Sequence, residues 1–169
     1  MAAGVGVWDG LESSFSSGVA AADFDDDGGV DLVVVRSGWF SASGRPLLLH
    51  NTVEDRGHWL TVALEGTVGN RQGIGARIVV GRGAQKQIRE VSAGAGFLST
   101  HSPWPTFGLG EMERVEVEVR WPSGAIDRFR DIATDRTVTL VEGSGEVSPQ
   151  PGVAPALRAR PQPSPGRAR

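Results

Sequence analysis

Five aspartates lie within nine residues near the start of the chain, in the segment D-F-D-D-D-G-G-V-D that begins at residue 23. Carboxylates fall at positions 1, 3, 5 and 9 of this segment, and the glycine at position 6 permits a sharp bend. Calcium is a hard cation that takes about six to eight oxygen ligands, and alternating aspartates on a tight loop direct their oxygens to one point. The spacing therefore predicts a Ca²⁺ site whose ligands are Asp23, Asp25, Asp27, the backbone carbonyl of Gly29, and Asp31.

The residues around this loop favour a β-hairpin over the flanking helices of an EF-hand. An EF-hand has glutamate at position 12 of its loop, where this chain has Val34. Residues 18–22 and 32–35 are small or β-branched, which is typical of paired strands. In such a hairpin Asp26 is expected to point outward, and Phe24 is expected to pack on the sheet. A solvated acidic turn and the paired carboxylates of a hydrolase are the alternatives, although four carboxylates in one environment suit a cation better than acid–base chemistry.

No other segment carries a recognisable catalytic pattern. The chain has no cysteine, which excludes thiolate nucleophiles and cysteine-ligated metal sites. His50, His58 and His101 lack a metal-binding spacing and are interpreted as packing or surface residues. No G-x-S-x-G elbow is present, and the glycine-rich segments lack the pattern of a phosphate-binding loop. We therefore predict a protein that is not an enzyme and has no catalytic or organic-cofactor residues.

Three tryptophans offer a second kind of chemistry, because an exposed indole ring can stack on a sugar. They are Trp59, Trp104 and Trp121. Trp59 and Trp121 lie in strand-like patterns, where packing in the core is the ordinary role of an aromatic ring. Carbohydrate binding is therefore the alternative function, beside an accessory domain of a carboxylate-dependent hydrolase.

The rest of the chain is organised as a series of short strands. Residues 115–121 alternate strictly between apolar and charged, which predicts a half-buried strand with Val115, Val117, Val119 and Trp121 on one face. Residues 58–65 also alternate, with Leu60, Val62 and Leu64 inward. Further strands are predicted at residues 76–80, 85–91, 125–129 and 137–141, separated by glycine- and proline-containing turns. This spacing predicts an all-β fold, an antiparallel β-sandwich or barrel, between residues 58 and 142.

Charge and composition set further limits on the function. Residues 1–35 hold seven acidic residues and no lysine or arginine, whereas residues 143–169 hold four arginines and six of the ten prolines. The proline-rich segment is predicted to be a disordered tail, and its arginines are too few to indicate nucleic-acid binding. No apolar run approaches the ~18 residues of a membrane span, and the residues after Met1 lack the basic start of a signal peptide.

Two segments resemble known families. The sequence G-V-A-A-A-D-F-D-D-D-G-G-V-D-L-V-V-V, within residues 13–51, resembles an FG-GAP/VCBS repeat, although a literal F-G-G-A-P is missing. Six blocks further along the chain resemble the ASPIC/UnbV domain of cartilage acidic protein-like sequences. The blocks are GHWL from Gly57, NRQGIGAR from Asn70, REV from Arg89, GFLS from Gly96, FGLG from Phe107 and WPSG from Trp121.

The resemblance implies a division of the chain and a class of function. Residues 1–52 would be a partial propeller blade with a calcium-binding hairpin, residues 53–142 an ASPIC/UnbV-like β domain, and residues 143–169 the tail. A propeller needs about four to eight blades, so one repeat predicts the C-terminal part of a longer protein, with upstream repeats as partners. The resemblance further implies a non-catalytic, calcium-binding module for adhesion or for binding a protein or glycan, located outside the cell or in the periplasm.

Overall fold

The computed structural model describes residues 15–37, 46–54, 56–145 and 147–149. Within these ranges the regular secondary structure is β, apart from one short 3₁₀ turn at Gly83–Gln85. Eleven described strands form three sheets, which confirms the predicted all-β class. None of the helical structure in the described ranges is long and apolar enough to cross a membrane.

A small antiparallel sheet, called the N-terminal sheet here, carries the acidic loop. Its first two strands pair so that Ala20 lies opposite Val33, which confirms the hairpin predicted from the flanking residues. The third strand pairs with the other edge of the second, with Leu48 also opposite Val33. The strands are β1 (Phe15–Ala22), β2 (Asp31–Ser37) and β3 (Leu47–Leu49).

The remaining strands form two four-stranded sheets that enclose one apolar core. The first sheet has the strand order β11-β10-β4-β7, and the second has the order β6-β5-β8-β9. Leu60 and Leu140 from the first sheet and Val117 and Phe129 from the second are fully buried in the same cluster, so the two sheets form a sandwich. The strands are β4 (His58–Glu65), β5 (Arg77–Val80), β6 (Gln87–Glu90), β7 (Thr106–Gly110), β8 (Arg114–Arg120), β9 (Ile126–Ala133), β10 (Arg136–Val141) and β11 (Val147–Pro149).

The alternating patterns were correct guides to the core. All four apolar residues predicted to share a face in residues 115–121 are buried, while Arg114 and Arg120 at the ends of β8 are exposed. In β4 the three predicted inward residues are buried too. The intervening Thr61 and Ala63 are also buried, and the Thr61 hydroxyl shares a hydrogen bond with that of Thr106 in β7 at 2.8 Å.

The prediction of a wholly antiparallel sandwich or barrel was wrong in one respect. β10 runs parallel to β4, with Val138 opposite Val62, and the sheets do not close into a barrel. Parallel neighbours require a long crossover connection, and here that connection contains β7 and the entire second sheet. Side-chain alternation has the same period in both kinds of pairing, so it could not distinguish them.

Three strands lie where the sequence did not predict them, and the first is β3. β7 carries glycines at positions 108 and 110, which weaken a strand signal, yet it pairs with β4. Val147–Pro149 pairs with β10 and lies inside the tail predicted to be disordered from residue 143, so that boundary was placed too early. Residue 146 and residues 150–169 of the predicted tail lie outside the described residues.

One buried carboxylate joins three turns at the end of the sandwich. Glu142 is 5% exposed, and its Oε2 accepts the backbone N–H groups of Thr67 and Val68 at 2.9 and 3.0 Å. Its Oε1 accepts the hydroxyl of Ser123. These hydrogen bonds, that of Ser123 first, hold the pKa of Glu142 below its ordinary value.

We expect Glu142→Gln to destabilise the sandwich at pH 7 and to matter less as the pH falls. The pKa of Glu142 is lowered by folding, so its contribution is complete above the unfolded pKa and is lost as the pH falls through the folded value. Urea unfolding of both proteins at pH 7 and at about pH 3 measures this. The control is Glu65→Gln, because the Glu65 side chain is 47% exposed and lies 3.8 Å from an exposed Arg71. A difference from the parent protein that stays constant with pH would contradict the prediction.

Candidate metal centre

The acidic loop connects β1 to β2 and has a tightly turned backbone. Asp26 and Gly28 have positive φ angles of 58° and 85°. Asp is one of the few non-glycine residues that tolerates this region. At Gly28 there is a second constraint, because a Cβ added there would overlap the indole ring of Trp59 at the start of β4. The loop therefore rests directly on the sandwich.

Hydrogen bonds within the loop hold two of the predicted ligands in place. Asp23 accepts the backbone N–H groups of Asp27 and Gly28 at 3.1 and 2.9 Å. Asp31 is 2% exposed and accepts the N–H of Phe24 at 3.1 Å and that of Asn51 at 2.7 Å. The Asp31 bonds tie the end of the loop to its beginning and to the residues that follow β3.

Asp27 is held from outside the loop. The guanidinium of Arg56 donates to both carboxylate oxygens of Asp27, at 2.7 Å each. The N–H of Gly29 donates to Asp27 Oδ1, also at 2.7 Å. The hydrogen bonds from Arg56, followed by that from Gly29, lower the pKa of Asp27 to about 2. This carboxylate is therefore ionised at any ordinary pH.

The predicted carboxylates come together around Asp25. Oxygens of Asp23, Asp25 and Asp27 lie within 4.8 Å of one another, and so do ligand atoms of Asp25, Asp31 and His50. His50 Nε2 lies 3.0 Å from Asp25 Oδ2. All four predicted aspartates thus belong to one of two groups that share Asp25.

Three other positions in the loop complete the comparison with the prediction. Gly29 is buried within the loop, while Asp26 is exposed and belongs to neither group, as its predicted outward direction requires. The expectation that Phe24 packs on the sheet was wrong, because its side chain is 68% exposed. The loop rests on Trp59 and Arg56 instead, which leaves the Phe24 ring on the solvent side.

The donor set fits a hard divalent cation. Both groups supply carboxylate oxygens, which calcium prefers, and one group adds an imidazole nitrogen, which it does not. Burial raises the pKa of Asp23, and the neighbouring carboxylates of Asp26 and Asp27 act in the same direction. Asp23 thus lacks the compensation that Arg56 gives Asp27. A cation bound between Asp23 and Asp25 would supply it.

Three residues that hold this site were not found by sequence reasoning. His50 was interpreted as a packing or surface residue, and Arg56 and Trp59 received no role in the site. All three lie beyond β3, about 20 to 30 residues after the loop, so no local spacing connects them to it. The pairing of β3 with β2 and the packing of the loop on Trp59 bring this part of the chain next to the aspartates.

A second contact joins the N-terminal sheet to the sandwich. The N–H of Ala21 donates to Nδ1 of His101 at 3.1 Å, and the carbonyl of Ala21 accepts the N–H of Ser102 at 2.9 Å. His101 therefore makes a structural contact between the two parts of the chain. His58, the third histidine, pairs its Nδ1 with Asp135 Oδ2 at 2.7 Å.

The tryptophans divide into packing and exposed residues. Trp121 is 4% exposed and donates its Nε1–H to Asp127 at 2.7 Å, and Trp59 lies beneath Gly28. Trp104 is 41% exposed. Of the three rings considered for sugar stacking, Trp104 is the one that presents a large exposed surface.

Comparisons with known proteins find a family match for part of the chain. Residues 66–147 match the family described as ASPIC and UnbV, which confirms that part of the predicted resemblance. The match begins after the acidic hairpin, whose resemblance to an FG-GAP/VCBS repeat stays a prediction.

The curated relatives carry one name in three vertebrates. Cartilage acidic protein 1 of Xenopus tropicalis is 30% identical over 112 residues, which cover 65% of this chain and 17% of the relative. The proteins of the same name from Mus musculus and Homo sapiens are each 28% identical over 128 residues, covering 75% of this chain and 19% of theirs. The chain therefore spans less than a fifth of the length of the curated relatives it matches, and the longer alignments extend beyond residues 66–147.

Proposed function

We propose, on the premise that residues 66–147 form an ASPIC/UnbV domain, that the chain is a non-catalytic module of extracellular type. In this proposal the acidic hairpin binds Ca²⁺ and is held against the domain, and the module serves adhesion or the binding of a protein or glycan. A place within a larger repeat protein is part of the same proposal, and the curated relatives are longer than the 112 and 128 residues over which they match this chain.

The observation that carries the calcium proposal is the convergence of four aspartates from one loop. Asp23 and Asp31 are fixed by backbone N–H groups, and each ionised carboxylate retains lone pairs for a cation. Asp25 bridges the two groups. So much negative charge in a loop without rigid octahedral geometry favours Ca²⁺ over Mg²⁺.

Calcium would also strengthen the contact between the hairpin and the domain. The loop touches the sandwich through Arg56 and Trp59, so fixing the loop fixes these contacts. We expect an affinity on the order of 10⁻⁴–10⁻³ M, as in extracellular modules. At free calcium about tenfold above that constant, mass action stabilises the calcium-binding form by about 1.4 kcal/mol.

The test compares two adjacent substitutions that each remove one negative charge. Asp25→Asn is expected to weaken Ca²⁺ binding at least about tenfold, because it removes the carboxylate shared by both groups. Asp26→Asn is the matched control: Asp26 is exposed and outside both groups, and asparagine tolerates its φ of 58°. Isothermal titration calorimetry with CaCl₂ at pH 7 measures both affinities. Equal losses, or no binding of calcium by the parent protein at millimolar concentration, would overturn the proposal.

A third variant identifies the type of metal. His50→Gln is expected to leave calcium affinity within about twofold, because imidazole is not a ligand that calcium prefers. Binding of Zn²⁺ or Ni²⁺ that is tighter than that of calcium and is lost in His50→Gln would instead identify a transition-metal site made of Asp25, Asp31 and His50. Turnover of an ester, phosphate or glycoside that is lost in Asp25→Asn would contradict the non-catalytic assignment.

A further inference from the structure

Three adjoining cavities form one groove on the second sheet and its β9 edge. Their volumes are about 380, 240 and 350 Å³, and all three are lined by Arg130. The third extends to Arg136 and Val138 of β10, so the groove runs from the outer face of the sheet to the open side of the sandwich. We call this surface the basic groove. The basic residues that line it are Arg82, Lys86, Arg114, Arg128, Arg130 and Arg136.

Strand alternation explains why these residues share a surface. β8 and β9 direct Val117 and Phe129 into the core, so their neighbours Glu116, Arg128 and Arg130 face outward. Adjacent strands are about 4.8 Å apart, which sets the charged side chains in closely spaced rows.

The acidic residues in the groove hold arginine side chains in position, but they are too few to neutralise the positive charge of the surface. The three that line it are Glu116, Glu118 and Asp131, against six basic residues. Glu116 accepts hydrogen bonds from Arg82 and lies 3.8 Å from Arg130, so one carboxylate serves two guanidinium groups.

The arginine side chains remain available to a ligand. Arg82 and Arg130 are 75% and 77% exposed, and Arg128 is 62% exposed although it donates to Glu118 at 2.9 Å. A guanidinium has five N–H donors, so each of these pairs leaves donors free for a bound anion. The groove therefore offers several positively charged groups that are held in position and still reach solvent.

We propose that the basic groove binds a sulfated polysaccharide. Arginine donates to tetrahedral oxyanions through two parallel N–H groups, and successive sulfates along a sugar chain would meet successive guanidinium groups along the groove. The proposal rests on the extracellular-type function proposed above, because sulfated polysaccharides are polymers of that environment.

The lining of the groove disfavours nucleic acid as the ligand. Proteins that bind single strands combine basic grooves with exposed aromatic rings on which bases stack. Phe129 is the one aromatic residue among the described residues that line the basic groove, and its ring is 1% exposed and faces the core. The groove consists of three adjoining cavities, and this concave shape suits a linear polymer better than a flat lipid surface.

The test uses a fluorescein-labelled heparin oligosaccharide and fluorescence anisotropy at low salt with EDTA present. Arg130→Gln is expected to weaken binding about tenfold, the loss of one charge-assisted contact. Arg71→Gln is the matched control, because it removes the same charge from an 87% exposed side chain that does not line the groove. Both replaced side chains are exposed, and thermal unfolding of each variant confirms that it is folded.

Several results would overturn the assignment. Equal weakening by the two variants would show non-specific attraction, and equal affinity for hyaluronan, which carries carboxylates and no sulfate, would remove the role of sulfate. Tighter binding to single-stranded DNA or to phosphatidylserine vesicles would assign the groove to another ligand. EDTA removes calcium, so the heparin measurement does not involve a calcium-loaded loop. A negative result with heparin therefore leaves the calcium proposal standing, and a negative calcium titration leaves the heparin test unaffected.

Discussion

Replacing Phe129 with alanine is expected to lower the free energy of unfolding of the sandwich by about 3–5 kcal/mol. The ring is 1% exposed and belongs to the cluster shared by both sheets, where it lies opposite Val117 of the neighbouring strand. Its removal loses apolar burial and leaves a cavity that a close-packed interior closes only in part. Urea unfolding followed by tryptophan fluorescence measures the change.

The control for this variant lies on the same strand. Ile126→Ala also shortens an apolar side chain in β9, but Ile126 is 48% exposed, so a change within about 0.5 kcal/mol is expected. A loss below about 1 kcal/mol for Phe129→Ala would mean that the two sheets do not close over this ring as described.

The strands β8 and β4 show what sequence reasoning could establish in this fold. Strict alternation in residues 115–121 identified the buried face of β8 correctly, because one face of that strand packs on the core and the other meets solvent. β4 has a looser alternation, with Trp59 and Ala63 also apolar, and Thr61 and Ala63 on its second face are buried as well. The pattern located β4 and could not show that it is central.

The N-terminal sheet shows a related limit. Val33 and Val35 lie in an apolar run typical of a fully buried strand, yet they are 40% and 51% exposed. A run of hydrophobic residues indicates a strand, but it does not show which part of the protein, if any, packs on that strand. The parallel pairing of β10 with β4 escaped prediction for a similar reason, because it depends on how distant segments meet.

The part of the candidate site that lies within one loop could be predicted, because it depends on the spacing of neighbouring residues. Five residues at fixed spacing predicted that four carboxylates would converge on one point, and the structure places these carboxylates in two groups that share Asp25. The groups that position them were not predictable, because Arg56 and Trp59 approach the loop only after the two parts of the chain have packed together. Spacing alone can thus predict a clustering of carboxylates in one loop, while the attachment of that loop to the neighbouring domain requires the fold.

That attachment gives the second large expected effect. Gly28→Ala should release the acidic loop from the sandwich while the sandwich itself stays folded. Gly28 has a φ of 85°, a region that costs an L-residue roughly 1–2 kcal/mol, and the added Cβ would overlap the Trp59 ring. The loop must then withdraw, and the contact between Arg56 and Asp27 must lengthen or break.

Hydrogen exchange followed by mass spectrometry measures the release. Peptides that contain the Gly29 amide, which donates to Asp27, and the Ala21 amide, which donates to His101, are expected to lose protection by about tenfold or more, the equivalent of at least one strained backbone position. Peptides from β8 should keep theirs, because that strand lies in the core of the sandwich. Gly69→Ala is the matched control, since a Cβ there meets no atom within 4 Å.

The pattern of protection separates two ways in which the hairpin can be held. If Gly28→Ala exposes the Gly29 amide but leaves Ala21 protected, then β1 is held by His101 and Ser102 independently of the loop. If both lose protection together, the hairpin docks as one unit, and calcium bound at the loop would stabilise the whole contact. Unchanged protection at both amides would mean that Trp59 yields to the new side chain, and the ring could then no longer be regarded as the surface that fixes the loop.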